Sequence, residues 1–72
     1  MTNTALLERL IKESGLKKGY LAKKANMSLA WLRSCIKNEG EFREGQMAAI
    51  ANELGIKDPA LFMAVFFARD GA

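Results

Sequence analysis

The sequence predicts an all-α domain of five short helices, and three observations carry that prediction. Turn-forming residues (Gly15, Asn26-Met27-Ser28, Asn38-Glu39-Gly40, Gly55 and Asp58-Pro59) leave only helix-sized segments between them. Within those segments apolar residues return every three to four positions, the period of a helix face. Finally, 72 residues, half of them hydrophobic and 26% charged, allow one small globular domain with a thin core. No linker, low-complexity tract or internal repeat divides residues 1–72.

In the first segment Leu6, Leu7, Leu10 and Ile11 share a face, Thr4 can cap the start, and Gly15 can take the left-handed stop. A helix over about Ala5 to Ser14 follows. The second segment, about Lys18 to Ala25, puts Leu21, Ala22 and Ala25 on one side. The third, about Leu29 to Lys37, takes Ser28 as its N-cap and buries Leu32, Cys35 and Ile36. In the fourth, about Glu44 to Leu54, Met47, Ile50, Ala51 and Leu54 point inward, Gly55 ends the helix, and Phe42 can fold back as a hydrophobic staple. The fifth, about residues 59–68, has Asp58 as cap and Pro59 in the first turn. Its run ALFMAVFFA would suit a strand, but a lone strand has no partner among four helices, so a helix is expected.

The second and third segments form a unit. Two helices of about eight residues joined by a three-residue turn cross steeply and need small residues at the crossing. Ala22 provides one, Asn26 tolerates positive φ in the turn, Met27 plugs the turn into the core, and Leu32 with Cys35 anchors the later helix from beneath. This is a helix-turn-helix pattern over about residues 18–37.

The segment LIKESGLKKGYLAKKANMSLAWLRSCIKNEGEF followed by MAAIANELGI resembles the Cro/repressor-type (Xre-like) helix-turn-helix domains of phages and prophages. The shared elements are Gly15-Leu16-Lys17-Lys18, Leu21-Ala22, Leu32 with Ile36, Glu41-Phe42 and Phe66-Phe67. The resemblance implies a compact five-helix, lambda-repressor-like domain that binds operator DNA sequence-specifically, usually as a dimer on a palindrome, and represses transcription. Asn38 stands where the family commonly closes the recognition helix with glycine.

Charge agrees with a polyanionic partner. The net charge is only +3, but residues 1–38 hold eight cations against two carboxylates, whereas residues 39–72 hold three against six. Such polarity suits a basic face turned to nucleic acid. Lys17 and Lys18 begin a helix where Ser, Thr or Asp would normally cap, an arrangement that a DNA phosphate would reconcile. Lys23 and Lys24 beside them, and Lys37 at the end of the recognition helix, extend the phosphate-contacting band. Leu29, Ala30, Arg33 and Ser34 then face the major groove. Arg33 can grip guanine O6 and N7 or, alternatively, a phosphate; Ser34 can donate or accept; Leu29 and Ala30 offer only apolar contact. Trp31 is expected to pack partly against the preceding helix, with a phosphate contact through its indole N–H as the alternative. Glu39, Glu41 and Glu44 read as solvated. The apolar fifth helix can bury only one side within the domain, so Phe62, Phe66 and Phe67 are assigned to a homodimer interface.

Other classes fit poorly. With no histidine and a single cysteine, the chain lacks the commonest general base and the commonest metal ligands, so neither an enzyme, a cofactor, a bound metal nor a small-molecule substrate is expected. Cys35 reads as a small core residue. The opening MTNTALLERL is not patterned as a signal peptide, and the longest apolar run, nine residues, is about half the roughly 20 needed to span a bilayer. A cytoplasmic protein without membrane contact is expected. The competing expectation is a protein-interaction module, such as an anti-repressor, that keeps this fold but has lost base readout.

Overall fold

A computed structural model describes residues 1–69. The described chain is all-helical: α1 (Thr4–Ser14), α2 (Lys18–Lys24), α3 (Leu29–Ile36), α4 (Glu44–Leu54) and α5 (Pro59–Phe66). The expected α4 is reproduced residue for residue, and α5 is two residues shorter than its apolar pattern predicts. The cap of α1 differs by one position. Asn3, not Thr4, accepts the Leu6 N–H at 3.1 Å, because Asn3 adopts the extended backbone a cap needs while Thr4 is already helical.

One sealed side chain from each helix meets at the centre: Leu7, Leu21, Leu32, Ile50 and Val65, with Cys35 beside them. Burying each aliphatic chain contributes about 1.5–3 kcal/mol. Half-buried Leu10, Leu16, Met27, Leu54 and Ile56 close the periphery. The Cα radius of gyration, 10.9 Å, matches the roughly 11 Å expected of a single compact unit this long. Phe42 packs edge-on against Phe66, centroids 5.5 Å apart, and Phe62 lies 5.0 Å from the same ring. That aromatic cluster seats α5 against the lead-in to α4.

Three helices end in the same way. At Asn26 (φ 56°), Asn38 (φ 62°) and Gly55 (φ 73°) the backbone turns left-handed, and paired return bonds satisfy the last carbonyls: Met27 N–H to Ala22 O, Glu39 N–H to Ser34 O, and Ile56 N–H to Ala51 O, at 2.8–2.9 Å. Asparagine thus sets the chain direction both before and after α3.

The first three residues form a strap that the sequence pattern does not reveal. The Asn38 side chain accepts from the Thr2 N–H and donates to the Thr2 carbonyl, both at 2.8 Å. Asn3 N–H reaches Val65 O and Ala68 N–H reaches Met1 O, also at 2.8 Å. The strap therefore joins the end of α3 to the end of α5. Among the described residues no helix is long and apolar enough to cross a membrane.

Candidate nucleic-acid interface

The α2–α3 pair presents the candidate surface. Ala22 is buried at the crossing, Met27 is half-buried beneath the turn, and the Ser28 hydroxyl accepts the Trp31 N–H at 3.0 Å to start α3. With Leu32, Cys35 and Ile36 turned inward, α3 leaves Ala30, Trp31 and Arg33 exposed and Leu29 and Ser34 half-buried. Burial pushes the Cys35 thiol up from its ordinary pKa, as befits an inert core residue.

The two flanks of α3 differ. On one, Leu29 shares a groove with Gly19, Lys23 and the turn residues, while Arg33 and Lys37 share a second groove with Lys18 and Glu8. On the other, Trp31 lies beside Arg43 and Gln46 at the start of α4. Lys17, Lys23, Arg33 and Lys37 make no ion pair among the described residues, and all four are exposed.

One expectation is corrected here, and three predicted residues gain neighbours that the sequence does not indicate. Trp31 has a seat on the loop after α3. Its ring rests on Gly40, so closely that a Cβ there would stand 2.7 Å from Cη2; the absent side chain is what lets the indole lie down on the loop. Lys18, at the head of α2, has a partner: its Nζ lies 2.9 and 3.1 Å from the two Glu8 carboxylate oxygens, because α1 brings that carboxylate alongside. Lys24 has an aromatic neighbour. It stands 5.6 Å from the centre of the Tyr20 ring, whose hydroxyl donates to Glu53 of α4 at 2.7 Å. That bond to a carboxylate raises the Tyr20 pKa above its ordinary value. Phe66, at 4% exposure, belongs to the core and is not accessible to a second chain, because Phe42 and Phe62 cover it. Phe67 at 49% and Met63 at 53% are what α5 leaves open, with Phe62 partly so.

Sequence reasoning passed over Glu8, Gly40, Arg43 and Gln46. Each adjoins a predicted residue only through tertiary packing, and none carries a local signal of that role. Comparison with known proteins yields no matching family model, curated protein or solved structure.

Proposed function

We propose that the protein is a transcriptional regulator that binds double-stranded operator DNA, with α2 and α3 as a helix-turn-helix and α3 in the major groove. One observation supports this reading above the others. The helix is anchored from beneath by three buried side chains, shows Ala30 and Arg33 outward with Ser34 half-buried beside them, and is flanked by cations on both α2 and its own C-terminal end. Leu29, Ala30, Arg33 and Ser34 face base edges in this reading, and Lys17, Lys18, Lys23, Trp31 and Lys37 face phosphates. The half-buried Leu29 and the aliphatic Ala30 confine polar readout to Arg33 and Ser34.

A single module of this size binds weakly, so we assign dimerisation to the exposed side of α5, through Phe67 and Phe62 together with Met63. A two-fold pair would place the recognition helices about 34 Å apart, one turn of DNA. The resemblance to Cro/repressor-type proteins favours repression, and such a regulator works in the cytoplasm.

Selection from random duplexes, followed by titration of the selected site over a range of salt, tests the reading. Steep loss of affinity with salt and preference for a palindrome are expected. Arg33→Ala should lose about 1–3 kcal/mol at one base position if it reads a base, whereas equal losses on selected and scrambled DNA would assign it to phosphate. Absence of binding to any duplex would refute DNA recognition. It would favour the protein-interaction reading, to which the apolar start of α3, Leu29-Ala30-Trp31, lends its only specific support.

A further inference from the structure

Lys18 of α2, Arg33 of α3 and Lys37 just after α3 share one groove with a single carboxylate, that of Glu8 on α1. Glu8 and Lys18 form the one ion pair among the described residues, and both side chains are partly in solvent, at 46% and 34% exposure. Three cations set side by side repel one another, and the carboxylate relieves that repulsion in the free protein. We infer that this groove takes a backbone phosphate of DNA and that Glu8 is its internal competitor, occupying Lys18 until a phosphate displaces it.

The inference rests on the DNA-binding reading above and deepens it. Ion pairs this exposed hold weakly, so Lys18 exchanges readily between the Glu8 carboxylate and a phosphate. The incoming phosphate meets a lysine and an arginine whose charges nothing else in the groove balances, and charge-assisted bonds to such donors are the stronger ones. Glu8 therefore lowers affinity for every sequence alike, which limits retention on non-specific DNA.

A labelled duplex of arbitrary sequence is the probe, because phosphate contacts need no operator. Glu8→Gln should tighten binding at low salt roughly two- to fivefold, the range an exposed pair supports. The dependence of log K on log salt should change by less than about 0.9, the value of one whole phosphate contact, because that contact forms with and without the Glu8 carboxylate. The gain should disappear in a Lys18→Gln background. Lys18→Gln alone should cost little in the wild type and several times more beside Glu8→Gln. Glu13→Gln, an equal change of charge about 140° further round α1, should give less than half the gain. Circular dichroism of each variant confirms that the helices persist. An unchanged affinity, a gain that survives Lys18→Gln, or an equal gain from Glu13→Gln would overturn the competitor. Failure of the wild type to bind any duplex at low salt would instead remove the DNA-binding reading, and this inference with it.

Discussion

Gly40→Ala isolates the contact that positions Trp31. A Cβ at residue 40 would stand 2.7, 3.0 and 3.2 Å from Cη2, Cζ3 and Cζ2 of the indole, whereas carbon atoms in contact prefer about 3.5–4.0 Å. The ring must retreat by roughly 1 Å. Gly40 lies outside the positive-φ residues, so alanine meets no backbone obstacle and the whole effect falls on the ring. Overpacking costs about 1–3 kcal/mol, and the low end applies because Trp31, 40% exposed, can tip towards solvent. Replacing glycine also restricts the unfolded chain, which offsets about 0.4–1 kcal/mol. The expected net loss is under about 0.6 kcal/mol, a fall in Tm of a few degrees at most for a domain this small. Urea unfolding followed by far-UV circular dichroism measures it, and the single tryptophan reports the displacement as red-shifted emission. In a Trp31→Ala background the clash is gone, and the same substitution should become neutral or stabilising by about 0.4–1 kcal/mol. Stabilisation of the wild type by Gly40→Ala, or equal costs in both backgrounds, would refute the account.

Asn38→Gly keeps the left-handed backbone but loses two hydrogen bonds to Thr2, so denaturant titration should show a loss of about 2 kcal/mol; Asn38→Ala should lose about 1 kcal/mol more, since φ 62° strains an L residue. Indistinguishable midpoints for wild type and Asn38→Gly would discount the strap. Phe66→Ala should cost about 3–5 kcal/mol, whereas Phe67→Ala should cost under about 1 kcal/mol yet weaken self-association in sedimentation equilibrium. The buried Cys35 thiol has a folded pKa above its unfolded value, so its stabilisation is complete below about pH 8.5 and is lost as pH rises towards the folded pKa. Between pH 7.5 and 9.5 the wild type should therefore lose stability relative to Cys35→Ala, and parallel pH profiles would contradict that.

Helix positions were legible because they depend on neighbours in the chain. Gly15, Asn26, Asn38 and Gly55 turn left-handed where a left-handed stop was anticipated, and Ser28 and Asp58 cap the helices assigned to them. The inward face of α3 follows from period alone: Leu32, Cys35 and Ile36 are all buried. The fifth helix shows where periodicity fails. Its run is apolar on every side, so nothing local separates Phe66, sealed beneath Phe42, from the exposed Phe67 next to it.

The candidate site divides along the same line. Which residues of α3 point outward is a matter of 100° steps along one helix, and Arg33 and Ser34 could be named from the sequence by counting. Which charges surround them is a matter of what other helices bring near. Lys18 meets Glu8 ten residues away, Lys24 stands over the ring of Tyr20, whose hydroxyl bonds Glu53 of α4, and Trp31 leans on a glycine nine residues on. The chain by itself determined the five helices and, for the first four, their stops and buried faces, because bonds and caps within a few residues decide them. Only the folded molecule decided the partners of Lys18, the seat of Trp31 and the strap from Thr2 to Asn38. Those depend on distances between segments that no local preference encodes.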